Sequence, residues 1–169
     1  SAVLIEAESG RVLLNKNMNL PKTMASTTKI MTGLIAVETG KMDDIVTVSQ
    51  KAASQEGTSM YLEAGEKIKM EELLYGLMLS SGNDAAVALA EFCSGSVEEF
   101  SKLMNSRAFE LGLSSTHFVT PHGLDNENHY TTARDFAILT DFALNNPLFL
   151  QIVGTKSYTI TLNSNKKSI

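Results

Sequence analysis

Cysteine is almost missing from this 169-residue chain: Cys93 stands alone, so no internal disulfide can form. In Glu91-Phe92-Cys93 it reads as filling a core site at a helix end. Positive charge is also scarce. The formal net charge is -5, and no basic run is interleaved with aromatic residues, so no nucleic-acid partner is expected. No apolar run approaches the length of a membrane span. The three histidines, His117, His122 and His129, lack a ligand spacing such as His-x-x-x-His. They read as structural or surface residues, and no metal is expected. No 20–50-residue repeat is visible. No signal peptide is expected within these residues. The chain begins at Ser1 without a methionine, inside an expected strand, so a processed or trimmed form is expected.

What is present is an ordinary globular mixture, 43% hydrophobic and 20% charged, of a length that suits one domain with a proper core. Residues 2–7 and 11–15 read as strands joined by the short loop Glu8-Ser9-Gly10. A two-stranded hairpin is marginal alone. The later strand candidate, 156–162, alternates as a half-buried strand should. A sheet built from both chain ends, with helices inserted between, is therefore expected. Helices are expected from Ser26 to Gly40, over 71–79, over 84–92, from Ser96 to a stop at Gly112, from Thr131 to Leu144, and from Pro147 through Val153. Minor strands are expected at 45–48, 58–62 and 67–70, an extended piece at 116–119, and a turn or loop at 121–125. The polar end, 163–169, reads as a loop.

The helix opened by Ser26-Thr27-Thr28-Lys29 carries Ile30, Met31, Leu34, Ile35 and Val37 around most of its circumference, so it should be buried. A buried ammonium needs a partner. Lys29 follows Ser26 by three residues, which places amine and hydroxyl on one helix face. Burial should lower the amine's pKa, and a neutral lysine can take a proton from serine. Two plainer readings stand beside this one: Ser26 as an N-cap and Lys29 reaching along its stem to the surface. The Ser-x-x-Lys pattern recurs at Ser164-Asn165-Lys166-Lys167, in a polar tail without an apolar helix.

A second cluster, Ser81-Gly82-Asn83, lies between two apolar helices that would pin a hydroxyl and an amide in place. The serine can relay a proton; the asparagine can donate to a carbonyl or hold a lysine amine. The same three residues are also ordinary turn and cap residues.

Ser26-Thr27-Thr28-Lys29, followed by Leu79-Ser80-Ser81-Gly82-Asn83-Asp84-Ala85-Ala86, resembles the serine D-alanyl-D-alanine carboxypeptidases, the low-molecular-weight penicillin-binding proteins of the β-lactamase/transpeptidase-like superfamily. The resemblance extends over nearly the whole chain, through Ser9-Gly10, Gly57-Thr58-Ser59-Met60, Thr120-Pro121-His122-Gly123-Leu124 and Thr131-Thr132-Ala133-Arg134-Asp135. It implies an α+β fold: an antiparallel sheet from the chain ends packed on helices, with a mostly helical lobe inserted. Residues 1–169 would form a single transpeptidase-like catalytic domain. The family's third motif, Lys-Thr/Ser-Gly, does not occur in this sequence, so the sheet is expected to be incomplete and to lack the C-terminal strands that carry it.

The function implied is removal of the terminal D-alanine from peptidoglycan stem peptides ending in D-Ala-D-Ala. Ser26 would be the nucleophile, Lys29 its base, Ser81 a proton relay to the leaving group and Asn83 a substrate-binding residue that also orients Lys29. The Ser26 N–H would stabilise the oxyanion. No cofactor is implied. Penicillins would acylate Ser26. The family acts outside the bacterial cytoplasmic membrane, and membrane association would come only through segments absent here. A class A β-lactamase is less well matched, because Gly82 replaces the Asp of Ser-Asp-Asn and no Glu-x-x-Leu-Asn occurs. An esterase on the same fold, or a non-catalytic penicillin- or peptidoglycan-binding sensor module, is the alternative.

Overall fold

The structure is a computed structural model that describes residues 1–124, 126–162 and 165–169; for 162 and 165–168 only the backbone is described. Asp125, at the end of an expected turn, and Asn163 and Ser164, in the expected terminal loop, lie outside the described residues.

In chain order the elements are β1 (Ala2–Ile5), β2 (Val12–Lys16), a 3-10 turn (Ala25–Thr28) running into α1 (Lys29–Thr39), β3 (Ile45–Thr47), α2 (Gln50–Ala53), β4 (Lys67–Lys69), α3 (Met70–Leu79), α4 (Asn83–Ser94), α5 (Val97–Glu110), α6 (Ala133–Leu144), α7 (Pro147–Val153), β5 (Thr159–Leu162) and β6 (Asn165–Ser168). The mixed, largely helical architecture agrees with the expected class. Capping explains several boundaries. Ser96 and Thr132 accept from the third amide of α5 and α6, and Asn146 caps α7, which has proline at its first turn.

α1 lies between two cores. Ala36 joins Leu73, Leu74 and Leu77 of α3 and Ala85–Leu89 of α4 in one cluster, whereas Met31, Leu34 and Ile35 join Phe100 and Met104 of α5, Leu139 of α6 and Phe149 of α7 in the other. Arg107 of α5 ties that helix to α1 and α6. It bonds Glu38 at 2.7 Å and Glu110 at 2.8 Å, and lies 4.9 Å over the Phe142 ring. No single helix among the described residues is long and apolar enough to cross a membrane.

Three local expectations are corrected, and one short helix is added. The terminal segment is not all loop: β6 pairs antiparallel with β5, Thr159 opposite Ser168. The hairpins at the two chain ends do not share one sheet; among the described residues β1–β2, β3–β4 and β5–β6 are separate antiparallel pairs. The polar stretch after Gln50 forms the short helix α2, capped by Ser49. Residues 58–62 form no strand, because their backbone donors go to a carboxylate instead. Asp84, 1% exposed, accepts from Met60 N at 3.0 Å, Leu62 N at 3.1 Å and the Ser59 hydroxyl at 2.6 Å.

Gly40 ends α1 as expected, but with φ -108° rather than in the left-handed region. A Cβ there would meet the tip of the Met70 side chain, which would have to move aside.

Replacing Asp84 by alanine strands two buried amides, each costing about 1–3 kcal/mol. Asp84→Ala should therefore lower unfolding stability by about 3 kcal/mol in urea titration. A loss under about 0.5 kcal/mol, the level of an ordinary surface substitution, would show that the carboxylate does not hold the 58–62 segment.

Candidate active site

The nucleophile candidate arises from local chain geometry. Residues 25–28 form a 3-10 turn, not the first turn of an α-helix as the sequence suggested. With three residues per turn, positions i and i+3 eclipse, so Lys29 is stacked on Ser26. Its Nζ lies 3.2 Å from Ser26 Oγ. Ser26 caps nothing: the N-cap positions of the turn and of α1 are Met24 and Thr28. Lys29 does not reach the surface either, being 2% exposed, while Ser26 is exposed.

Lys29 Nζ has two further partners, Asn83 Oδ1 at 2.8 Å and the His122 carbonyl at 3.1 Å. As an ammonium it thus spends all three N–H bonds. The amide of Asn83 is oriented by its Nδ2 donating to the Glu56 carbonyl at 2.7 Å, so Oδ1 must face the lysine. Asn83 Oδ1 and the His122 carbonyl can only accept. When Lys29 is neutral, its two N–H groups remain with those acceptors and its lone pair is left facing the Ser26 hydroxyl. Burial drives the Lys29 pKa down to about 8, against a smaller upward pull from the Asp84 carboxylate. The neutral form is therefore within reach near neutral pH.

Asn83 opens α4, and its backbone N–H is fixed by the Thr58 carbonyl at 2.7 Å. Its side chain is no cap: α4 has Gly82 at the N-cap position and no side-chain capping bond. Gly57, with φ 88°, packs on the amide, and a Cβ there would stand 2.8 Å from Asn83 Nδ2. Ser81 lies in the bend between α3 and α4 with φ 55°, half-buried. Its hydroxyl makes no hydrogen bond among the described residues. The structure thus joins Ser26, Lys29 and Asn83 by direct bonds, and Ser81 adjoins them through the chain.

The three histidines divide between surface and interior. His117 is exposed, as expected of a surface residue. His122 and His129 are buried around the Ser26 segment. The His122 carbonyl holds Lys29, and its Nδ1 accepts from Leu124 N at 3.1 Å. His129 Nε2 meets the Thr28 hydroxyl at 2.7 Å. The pKa of each falls to about 4. Burial is the main cause, aided by the charge of Lys29 and then His129 for His122, and by that of His117 for His129. A backbone carbonyl carries no signature in residue identity; only the Thr120–Leu124 stretch quoted in the family resemblance marked the place.

Cys93 sits near the far end of α4, about 15 Å along the helix from Asn83 at 1.5 Å per residue. Its sulfur lies 3.3 Å from the Thr39 hydroxyl oxygen, whose proton goes to the Ile35 carbonyl, and burial pushes the thiol pKa up. Among the described residues no group of three His, Cys, Asp or Glu is placed to hold a metal ion.

The family model described as D-alanyl-D-alanine carboxypeptidase matches residues 1–169. The chain is 47% identical over 172 residues to D-alanyl-D-alanine carboxypeptidase DacF of Bacillus subtilis, covering 99% of this chain and 44% of that protein. It is 41% identical over 150 residues to DacA of Escherichia coli K12, covering 82% and 37%. Among solved structures, DacD from Francisella tularensis superimposes with TM-score 0.92 at 35% identity, covering 99% of this chain and 42% of that one. A D-alanyl-D-alanine carboxypeptidase from Mycobacterium tuberculosis H37Rv gives 0.94 at 31%, covering 99% and 64%. The chain spans less than half the length of these two curated relatives.

The buried histidines set an acid limit. Unfolded, each binds a proton near pH 6.5; folded, only near 4. The unfolded state therefore binds more protons between those values, and stability, complete above about 6.5, is lost as pH falls toward 4. Melting temperatures measured from pH 7 to 4 should fall across this window, and less steeply in a His122→Gln/His129→Gln double variant. Equal slopes in the two proteins would overturn the assignment.

Proposed function

This chain belongs to the D-alanyl-D-alanine carboxypeptidase family, and on that premise we propose that it carries the acylating machinery of a serine-type D-Ala-D-Ala carboxypeptidase. The substrate is the peptidoglycan stem peptide ending in D-Ala-D-Ala, the site of action is outside the bacterial cytoplasmic membrane, and penicillins act as substrate mimics. Residues 1–169 are one transpeptidase-like catalytic domain. The sequence contains no Lys-Thr/Ser-Gly, so the contact to the substrate's terminal carboxylate is assigned to none of its residues.

The observation that carries this reading is the saturation of Lys29 by Asn83, the His122 carbonyl and Ser26. Neutral Lys29 takes the Ser26 proton, and Oγ bonds to the carbonyl carbon between the two D-alanines. The Ser26 backbone N–H stabilises the resulting oxyanion. The C–N bond then breaks. The leaving amine receives a proton through Ser81, drawn from the Lys29 ammonium, and D-alanine departs. The acyl group stays on Ser26. Water, deprotonated by Lys29, then cleaves the ester and returns the proton to Ser26. Asn83 holds the lysine in place and offers its amide edge to the substrate.

Intact-mass measurement after incubation with benzylpenicillin tests this. One adduct is expected, on Ser26, absent from Ser26→Ala. Its rate of formation should rise about tenfold per pH unit below about 8 and level off above, as Lys29 loses its proton. Lys29→Met should reduce that rate at least 10²-fold, within the range typical of a general base. An adduct that persists in Ser26→Ala would sink the reading. Release of D-alanine from a D-Ala-D-Ala peptide separates enzyme from sensor: an adduct without release identifies a sensor module.

A further inference from the structure

We propose that His129 is a positioning residue for the nucleophile: acting through Thr28, it holds the Ala25 carbonyl and so sets the turn that presents Ser26. The inference rests on the reading of Ser26 as nucleophile.

The direction of every bond in the chain is forced. Thr28 Oγ1 has one proton, and the Ala25 carbonyl at 2.7 Å can only accept it. The hydroxyl must therefore receive its other bond from His129 Nε2–H, at 2.7 Å. His129 Nδ1 in turn accepts from Val119 N at 2.9 Å, so it is unprotonated and the ring is the neutral Nε2–H tautomer. Thr28 and His129 are 0% and 2% exposed, so these bonds lie in the interior. The ring is further held edge-on to Phe118, 5.9 Å between centroids.

The far end of this chain is a strained residue. Ala25 has φ 45°, in the left-handed region that an L side chain rarely adopts. It immediately precedes Ser26, so its conformation aims the Ser26 backbone and hydroxyl. Two contacts oppose its relaxation: the Thr28 hydroxyl bonded to its carbonyl, and Gly123 packed against it. A Cβ on Gly123, itself at φ 85°, would overlap the Ala25 carbonyl and the Thr28 hydroxyl. His129 thus hydrogen-bonds neither Ser26 nor Lys29 but fixes the rotor of the hydroxyl bonded to the Ala25 carbonyl. Strain of this kind persists only where the surroundings impose it.

The test is benzylpenicillin acylation of the wild type and His129→Phe, resolved into binding and chemical steps. His129→Phe should slow the chemical step about 10–100-fold, as expected for a misplacement of about 1 Å, with the binding constant little changed. His129→Gln can still donate to Thr28 and accept from Val119, and should stay within about threefold of wild type, a margin well inside the loss expected on misplacement. Adding Ala25→Gly to His129→Phe should recover most of the loss, because glycine adopts positive φ without the clamp.

A folded His129→Phe with wild-type kinetics overturns the proposal, as does a loss that Ala25→Gly leaves untouched. If His129→Phe does not fold, Thr28→Val, nearly isosteric, against Thr28→Ser decides the matter by the same kinetics. A wild type that forms no Ser26 adduct defeats the functional reading instead. The inference is then decided by hydrogen exchange of the 25–29 amides, faster in His129→Phe if it holds and unchanged if it does not.

Discussion

The structure depends on the burial of one amine. Lys29 enters the interior at the start of the helix that both cores share, and an uncompensated ammonium there would be intolerable. Compensation comes from three chain segments that are remote in sequence: Ser26 from its own turn, Asn83 from the start of α4, and the His122 carbonyl from the loop before α6. The requirement to satisfy Lys29 therefore locks together the same segments that form the candidate site. Stability and chemistry share the same three bonds. Their number also matters: three acceptors hold the ammonium, and the loss of a proton frees only the one position that faces a hydroxyl.

Around this centre the backbone is bent into shapes that residue identity alone does not favour. Ala25 and Ser81 both have positive φ and both adjoin a site residue. Each is held by its neighbourhood. The turn at Ala25 is clamped by Thr28, His129 and Gly123. The bend at Ser81 lies between two helices in the core, and the loop facing it is drawn in by Asp84, which accepts from Met60 and Leu62 N–H, and by Asn83, which donates to the Glu56 and Thr58 carbonyls. The side chains of Thr28, His129, Asn83 and Asp84 that serve these clamps are buried and hydrogen-bonded, and a satisfied buried polar network of this kind favours one arrangement.

Much of this was legible in the chain. The apolar spacing after Lys29 predicted a buried helix, and Ser-x-x-Lys predicted the amine beside the hydroxyl. Ser81-Gly82-Asn83 between two apolar runs predicted a pinned bend, and Ser96 and Pro147 marked the starts of α5 and α7. Other features were not legible. The 3-10 geometry of residues 25–28 depends on a clamp supplied about a hundred residues later by His129. Residues 58–62 looked like a strand because strand propensity is local, while the buried Asp84 that captures their amides is more than twenty residues away. The pairing of β5 with β6 was hidden because the last residues are polar. That polarity reads as loop whenever the partner that satisfies the backbone is unknown.

By itself, then, the order of residues determined most of the helices, a hydroxyl and an amine one turn apart, and the family to which the chain belongs. These follow from periodicity and from short-range chemistry, which act over a few residues. Only the tertiary structure decided that Asn83 and the His122 carbonyl complete the lysine's coordination, that His122 and His129 are buried and neutral, and that a histidine steadies the turn under Ser26. Those are contacts between segments brought together by packing, and a backbone carbonyl or a ring tautomer acquires its role only from the neighbours that packing provides.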